Sequence, residues 1–203
     1  MSEDQPLVII IDDDPDIRDA LKDLLETVDL PTALFATASE YLASKRQQGP
    51  CCIVADVRLP GLSGLDFQQE LARENNPIPV IFITGHGDIP MSVRAMKAGA
   101  VEFLTKPLRD QDLLDAIQAA LRRDRARLED ERQVADLRTR HEALTARERQ
   151  VMALLVSGRV NKQIAAEIGI NEVTVRLHRG QVMRKMRASS LAHLIRIADK
   201  LQF

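Results

Sequence analysis

The sequence is poor in cysteine and in long apolar runs, and both shortages exclude classes of protein. Its two cysteines, Cys51 and Cys52, are adjacent. Neighbouring residues of a strand point to opposite faces, so we expect two small core side chains and no disulfide between them. The longest apolar runs have about five residues, whereas a membrane-spanning helix needs roughly 20. The acidic N-terminus contains no apolar core of a signal peptide, and we expect a cytoplasmic protein.

Charge is divided unevenly along the 203 residues, although the net charge is only −2. Residues 1–121 contain ten Lys and Arg against twenty Asp and Glu, whereas residues 122–203 contain eighteen against ten. A chain of this length fits one large domain or two small ones. An acidic half joined to a basic half favours two domains with different partners. The basic half is the candidate for binding nucleic acid.

Short apolar runs alternate with helix-like stretches over the first 108 residues. The predicted strands are 7–11, 33–36, 51–55, 80–83 and 101–104. The predicted helices are 17–28, 39–46 with Ser39 as N-cap, 65–74, 89–98 and one that begins near residue 110. Runs this short and this apolar indicate parallel strands that are buried on both faces. Five such units predict one small α/β domain built on a doubly wound parallel sheet.

Polar side chains follow four of these runs at the point where each run ends. Asp12 and Asp13 follow the first run, Asp56 the third, Thr84 the fourth and Lys106 the fifth. Ligands of doubly wound sheets bind outside the carboxyl ends of the strands, so these side chains should converge. Clustered carboxylates need a cation such as Mg²⁺, and a carboxylate can accept a phosphoryl group as a nucleophile. Each residue alone is a weak signal, because an Asp at a strand end is more often a helix cap; the conjunction is specific.

This arrangement resembles the receiver domain of bacterial two-component response regulators. The resemblance covers residues 7–121 and is carried, in order, by IIDDDPDIR, VADVRLPGLSG and IPVIFITGHGDIPMSVRAMKAGAVEFLTKP. It is closest to the FixJ-type group and to regulators of aromatic-hydrocarbon catabolism, such as the styrene and toluene regulators. The resemblance implies a five-stranded parallel sheet with strand order 2-1-3-4-5.

The same resemblance assigns roles to individual residues. It implies that Asp56 accepts a phosphoryl group from a sensor histidine kinase and that Lys106 neutralises the added charge. The implied Mg²⁺ ligands are Asp13, Asp56 and the backbone carbonyl of Arg58, with Asp12 assisting through water. Thr84 and Phe103 are implied as the switch pair, although plain core packing is the alternative for Phe103. Because X-Pro bonds tolerate the cis form, a cis bond before Pro107 would aim Lys106.

Residues 110–141 are rich in Leu, Ala, Arg, Asp and Glu and contain neither Gly nor Pro. We predict one long helix that leaves the first domain and becomes a charged connector. Ile117, Leu121 and Leu128 stand near heptad spacing, but charged residues interrupt this seam at Asp124, Glu131 and Arg138. A weak coiled-coil dimer and a solvated linker both remain open. The predicted domains are a receiver at 1–121, a helical linker at 122–141 and a DNA-binding domain at 142–203.

The basic end predicts four helices, at 146–157, 161–168, 171–187 and 190–201. Thr145 and Glu148 form a capping-box pattern at the start of the first of them. The second and third are joined by a Gly turn, which is typical of a helix-turn-helix. On the third helix Val175, Val182 and Met186 share one face, and we expect them to be buried.

Residues 144–201 resemble the LuxR/FixJ-type DNA-binding domain, through LTARERQVMALLVSGRVNKQIAAEIGINEVTVRLHRGQVMRKM. Arg176 and Leu177 match the family's base-contacting positions, where Arg suits a guanine edge and Leu a thymine methyl. The other predicted DNA-binding residues are Lys162, Val173, Thr174, His178, Arg179, Gly180 and Lys185. The five polar residues of that list are interpreted as phosphate contacts. Gly180 departs from some relatives, in which a longer side chain often contacts a base. Either the backbone approaches DNA closely at this position, or one base contact of those relatives is missing.

The leading hypothesis is a phosphorylation-controlled transcription factor that is not an enzyme. Phosphorylation would reshape the fourth helix and fifth strand, a surface that includes Arg94, Lys97 and Glu102 and through which the family's receivers form homodimers. The dimer would bind paired half-sites on promoter DNA and contact RNA polymerase, most often as an activator. A regulator that acts without phosphorylation is the second hypothesis.

A magnesium-dependent phosphatase with an aspartyl nucleophile is the third hypothesis, from the pair Asp12 and Asp14. That class expects Thr or Val where Asp16 stands, and it leaves the basic domain unexplained. The histidines at 86, 141 and 193 lack metal-ligand spacing, and we interpret them as surface or loop residues.

Overall fold

The computed structural model describes residues 5–45, 49–85 and 89–201. The chain divides into two compact units, Met1–Leu128 and Glu129–Phe203. The boundaries predicted at 121/122 and 141/142 remain predictions. Within the described ranges, no helix is both long enough and apolar enough to cross a membrane.

The first unit is a five-stranded parallel sheet with helices on both faces. Its strands are β1 (Leu7–Ile11), β2 (Thr32–Phe35), β3 (Cys51–Asp56), β4 (Val80–Thr84) and β5 (Glu102–Thr105), in the order β2-β1-β3-β4-β5. Its helices are α1 (Pro15–Glu26), α2 (Ala38–Leu42), α3 (Gly64–Arg73), α4 (Ile89–Lys97) and α5 (Asp110–Glu142), the last of which continues into the second unit. The predicted fold and strand order are confirmed.

Alternate residues of each central strand enter different cores. Ile9 packs with α3 residues on one face of the sheet, whereas Ile10 packs with α1 and α5 residues on the other. Cys51 and Cys52 follow the same rule, and both are buried free thiols. Burial raises the pKa of the Cys51 thiol to about 12. The expectation of two small core side chains is confirmed.

The second helix differs from its prediction at both ends. Thr37, rather than Ser39, is the N-cap: its hydroxyl accepts from the Glu40 backbone N–H at 3.1 Å, and the Glu40 carboxylate accepts from the Ala36 N–H at 2.8 Å. These two hydrogen bonds place the N-cap two residues before the predicted one, and α2 begins at Ala38. The helix ends at Leu42, and the predicted end at residue 46 lies outside the described residues.

Helix α5 is held to the sheet beyond residue 121. Asp124 is fully buried; its Oδ2 accepts from the backbone N–H of Cys51 at 2.8 Å, and its Oδ1 pairs with Arg127 at 2.8 Å. Cys51 is the first residue of β3, and the pairing of β3 with β4 begins only two residues later, at Ile53. The Cys51 N–H therefore needs an acceptor that β4 does not supply. Asp124 is therefore a buried anchor for the start of β3, a role that its position in the interrupted heptad pattern did not predict.

The second unit is a helical domain with a helix-turn-helix. Its further helices are α6 (Ala146–Val156), α7 (Asn161–Ile168), α8 (Glu172–Lys185) and α9 (Leu191–Lys200). Gly169 ends α7 with a φ of 67°, a backbone conformation that a side chain strains. Asn171 then caps α8 by accepting from the Thr174 N–H at 2.7 Å. The predicted inner face is confirmed, because Val175, Val182 and Met186 are all buried in the core of this unit.

Candidate functional site

Lys106 joins two of the predicted carboxylates at the carboxyl edge of the sheet. Its Nζ lies 2.8 Å from Asp12 Oδ2 and 2.7 Å from Asp56 Oδ2. The residues come from the ends of β1, β3 and β5, so the parallel topology alone brings them together. The bond between Lys106 and Pro107 is cis, the form that the sequence allowed for at this position.

Backbone donors hold the other oxygens of the two acids. Asp12 Oδ1 accepts from the Asp14 N–H at 3.0 Å, and Asp56 Oδ1 accepts from the Arg58 N–H at 2.8 Å. Burial by itself lowers the Lys106 pKa, but the hydrogen bonds and negative charges of Asp12 and Asp56 outweigh it and raise that pKa above its ordinary value. The lysine is therefore a fixed positive charge beside Asp56 at neutral pH.

A cleft of about 720 Å³ opens next to these groups and is lined by Asp13 and Arg58, among others. Asp13 is exposed to solvent, whereas Thr84 at the end of β4 is fully buried and its backbone oxygen accepts from the Lys106 N–H at 2.8 Å. Phe103 is half-buried against the core that contains α3 residues. The sheet thus gathers Asp12, Asp56 and Lys106 in direct contact, and Asp13 and Arg58 share the adjoining cleft.

The oxygen groups at this edge suit a hard divalent cation. Among the described residues, no three His, Cys, Asp or Glu side chains already form a metal-binding group. Mg²⁺ typically binds one or two carboxylates and keeps several waters. Two acids, Asp13 and Asp56, together with the Arg58 carbonyl supply that kind of set beside an open cleft, so the residues present fit the ion.

In the second unit, α8 presents apolar and basic side chains to solvent. Val173 and Leu177 are 69% and 63% exposed, although large apolar side chains are usually buried. Arg176 on α8 and Lys162 on α7 are also exposed. Basic groups flanking exposed aliphatic side chains match the chemistry of a major-groove surface, which offers acceptor edges and thymine methyl groups.

Gly180 leaves a gap on the same helix. It is exposed, and apart from its chain neighbours and the backbone of its own helix, no atom of the described residues lies within 4 Å of the position that a Cβ would take there. Nothing within the domain therefore requires glycine at this position. The gap leaves the predicted DNA-binding surface without a side chain one turn after Leu177.

Three predicted phosphate contacts have partners inside the domain, and a fourth, His178, is partly shielded. Thr174 Oγ1 donates to Asn171 Oδ1 at 2.9 Å, and a guanidinium nitrogen of Arg179 lies 3.4 Å from Asn161 Oδ1. His178, like Arg179, is half-buried. Lys185 contacts the Glu148 carboxylate, as described next. These residues remain predicted DNA contacts, but their side chains are less free than those of Arg176 and Lys162.

Lys185 and Glu148 form an ion pair that sequence reasoning missed. Lys185 Nζ lies 2.7 Å from Glu148 Oε2 and 3.1 Å from the Ala143 carbonyl oxygen. Glu148 also accepts from the Thr145 N–H at 2.8 Å, which closes the predicted capping box. The hydrogen bond from Lys185 is the main cause that lowers the Glu148 pKa. The capping pattern identified Glu148, but no signal linked it to a lysine 37 residues away.

Two of the predicted surface histidines can be placed. His141 is half-buried near the end of α5, where burial and then the charge of Arg149 lower its pKa. His193 is half-buried on α9 and accepts from the Ser189 N–H through Nδ1 at 3.3 Å. Both therefore lie on helices rather than in loops, and His86 lies outside the described residues.

Two family models match this chain. Residues 8–118 match the response regulator receiver domain, and residues 142–198 match the bacterial regulatory proteins of the luxR family. The two matches fall on the sheet and on the helix-turn-helix described above.

Similar proteins match nearly the whole chain. Nodulation protein W of Bradyrhizobium diazoefficiens is 55% identical over 96% of this chain and 86% of its own length. Response regulator protein TodT of Pseudomonas putida strain F1 is 42% identical over 100% of this chain and 89% of its own. The solved structure of response regulator StyR is 44% identical, covers 97% of this chain and 99% of its own, and superposes with a TM-score of 0.85.

Proposed function

This chain belongs to the transcriptional response regulators that join a receiver domain to a LuxR-type DNA-binding domain, and we propose that phosphoryl transfer to Asp56 controls its binding to DNA. The receiver implies a sensor kinase as partner, and the second domain implies DNA. Members of this family are not enzymes in the usual sense, which removes the phosphatase hypothesis. The cytoplasmic location remains a prediction.

The contact of Lys106 with both Asp12 and Asp56 is the observation that carries the proposal. A fixed ammonium 2.7 Å from Asp56 Oδ2 is placed to stabilise negative charge that develops on an incoming phosphoryl group. In the proposed step an Asp56 oxygen attacks the phosphorus of a phosphohistidine. The P–O bond forms as the P–N bond breaks, and the leaving imidazole takes up a proton. Lys106 turns from Asp56 towards the new phosphoryl oxygens.

Magnesium completes the proposed phosphoacceptor site. Its ligands would be Asp13, Asp56 and the Arg58 carbonyl, with Asp12 assisting through water. The bound ion supplies positive charge that offsets repulsion between the carboxylates and the phosphoryl group. Asp13 is exposed beside the cleft and is thus accessible to an ion entering from solvent.

The response of the receiver is proposed to run through Thr84 and Phe103. The Thr84 hydroxyl would donate to the phosphoryl group, and the half-buried Phe103 ring would turn inward. The affected surface is α4 with β5, which carries Arg94, Lys97 and Glu102, and it would form the homodimer. Charge reversal at Lys97 should then weaken the activated dimer, and an unchanged dimer would contradict an ion-pair interface.

The DNA-binding surface is proposed to be the exposed side of α8 with the start of α7. Arg176 and Leu177 would contact base edges, and Val173 adds apolar surface next to them. Lys162 would contact phosphate, as would Thr174, His178, Arg179 and Lys185 where their internal contacts permit. A dimer of such domains binds paired half-sites about one helical turn apart, or a multiple of that. Contact with RNA polymerase and activation of transcription belong to the proposal.

DNA selection from a random library tests this function. The full-length protein is used with and without beryllofluoride and Mg²⁺, which together mimic the phosphoryl group, and Asp56→Asn serves as the control. We expect paired half-sites to be enriched only for the wild type with the mimic. Equal enrichment in both states would show that DNA binding is not the regulated step and would favour a regulator that acts without phosphorylation.

A further inference from the structure

Gln68 is a buried amide between α3 and α4. Its side chain is 93% buried, since the residue is 7% exposed. Its Nε2 donates to the backbone oxygen of Ala95 in α4 at 3.4 Å, near the long limit of a hydrogen bond. Its Oε1 is buried and finds no hydrogen-bond partner among the described residues. Such an unpaired acceptor destabilises the fold, so its presence in a native core needs a reason.

One end of α3 is fixed to the phosphoacceptor segment. The Gly64 N–H donates to the Val57 carbonyl at 2.9 Å. A Cβ at Gly64 would stand 2.6 Å from the backbone oxygen of Asp56, so the two segments approach as closely as glycine allows. Gln68 lies four residues after Gly64 and thus on the same side of the helix. A displacement of the Asp56 segment therefore reaches Gln68 through one rigid helical turn.

Helix α4 is weakly held in comparison. Of its residues, all of which the structure describes, only Ala95 is buried, and Ile89, Val93 and Met96 are exposed. Cavities of about 720 and 510 Å³ lie beside this helix, and both are bounded by Gln68 and Ala98. The space around the contact leaves α4 room to move relative to α3. The Gln68 amide thus forms a long hydrogen bond from a fixed helix, α3, to a loosely packed one, α4.

We propose that Gln68 is a positioning residue that couples the Asp56 segment to α4. The inference rests on the proposed function. It adds a second connection between the Asp56 segment and α4, through α3, to the one proposed through Thr84 and Phe103. In the arrangement described here the amide holds Ala95 by one long hydrogen bond and leaves Oε1 unpaired. Phosphorylation shifts the Asp56 segment and α3 with it, and α4 moves to a position in which the amide is better satisfied. The unpaired oxygen makes the present position of α4 easier to leave.

The test compares Gln68→Met with Gln69→Met in the full-length protein. Methionine keeps the length of glutamine without its polar atoms, and Gln69 is an exposed neighbour in the same helix. Dimerisation is measured by analytical ultracentrifugation with and without beryllofluoride and Mg²⁺. We expect Gln68→Met to weaken mimic-induced dimerisation about fivefold, the size expected for one lost hydrogen bond. Gln69→Met should respond as the wild type does.

The thermal stability of the variants distinguishes a coupling role of Gln68 from a packing role. Removing an unpaired buried acceptor should leave the thermal midpoint unchanged or higher, so Gln68→Met is expected to be at least as stable and yet less responsive. In hydrogen exchange, the change that the mimic causes in α4 should be smaller in Gln68→Met. Gln68→Leu, a second apolar substitution, should behave in the same way.

Three results would overturn the inference. Wild-type dimerisation by both Gln68 variants would show that no coupling passes through the amide. A weaker response accompanied by a lower thermal midpoint in both variants would show a packing role. If the wild type itself failed to respond to the mimic, the proposed function would fail first and the coupling would fall with it, a result distinct from a failure confined to the variants.

Discussion

Two lysines, one in each unit, hold nearly buried carboxylates in contacts of equal length that differ in purpose. Lys106 lies 2.7 Å from Asp56, and Lys185 lies 2.7 Å from Glu148. Lys106 bridges two acids at the open carboxyl edge of a parallel sheet, beside a cleft. Lys185 meets one acid whose carboxylate already closes a helix cap. The first pair can rearrange around an incoming group, whereas the second fastens α8 to the start of α6.

An ion pair by itself therefore does not identify a functional site. Both lysine ammonium groups are partly shielded from water, and both acids are almost buried. Their surroundings differ: at the first site Asp12 adds a second carboxylate to the same lysine, which leaves excess negative charge for a metal ion, and an open cleft adjoins the site. At the second site the charges balance and backbone donors complete the cap. The following predictions test this contrast.

The largest effect is expected from Lys106→Met. Without the ammonium, charge developing on the phosphoryl group loses its nearest protein cation, and such a loss slows a reaction by about 10²–10³. Intact-protein mass spectrometry during incubation with a small acyl phosphate measures the rate of phosphoryl uptake. Lys22→Met, at an exposed lysine of α1, is the matched control and should react at the wild-type rate. Equal rates in the two variants would contradict the role of Lys106.

Lys185→Met should instead damage stability. Removing the ammonium takes a charged hydrogen bond from Glu148 at a site that is only partly shielded from water, which typically costs about 1.5–3 kcal/mol. Thermal or urea unfolding measures the change in stability, and hydrogen exchange within residues 129–203 assigns it to the second unit. Phosphoryl uptake should stay at the wild-type rate. A variant that keeps its stability but loses DNA affinity would instead make Lys185 a phosphate contact.

Asp124→Ala should have a smaller effect on the first unit. The substitution leaves the buried N–H of Cys51 without its acceptor, and an unsatisfied buried donor costs about 1–3 kcal/mol. Asp124→Asn keeps an acceptor oxygen and should lose less. Urea unfolding of the full chain, with hydrogen exchange at the start of β3, distinguishes the variants. Equal stability of Asp124→Ala and the wild type would show that the anchor contributes nothing.

The smallest effect is expected from pH at Glu148. Lys185 lowers the folded-state pKa of this acid below its ordinary value of 4.5. Because the folded-state pKa is lowered, the ionised carboxylate contributes stability above pH 4.5, and this stability is lost as the pH falls through the folded-state pKa. For one proton the loss is at most about 1.4 kcal/mol per pH unit. Glu148→Gln should flatten this acid dependence of the second unit, as measured by unfolding at pH 3–6. An unchanged slope would show that Glu148 does not titrate with folding.

Much of the molecule follows from local sequence pattern. Apolar runs bounded by polar residues predicted all five strands, and the ends of these strands identified Asp12, Asp56 and Lys106. The capping box at Glu148 and the inner face of α8 also followed, because both depend on spacing within one helix. The errors at α2 had a local cause, since Thr37 and Ser39 are both capable N-caps and the Glu40 side chain decides between them.

The tertiary structure alone decided which charges meet across the fold. The Asp124 carboxylate accepts from the N–H of Cys51, 73 residues away, and Lys185 pairs with Glu148. The Gln68 amide lies between α3 and α4 with its Oε1 unpaired among the described residues. Periodicity and capping patterns depend only on residues that are close together in the chain, so they do not predict such distant pairs. Local sequence pattern is enough for the order of the elements and for the residue types at the strand ends. Which buried polar atoms are satisfied depends on how the helices pack on the sheet and on one another.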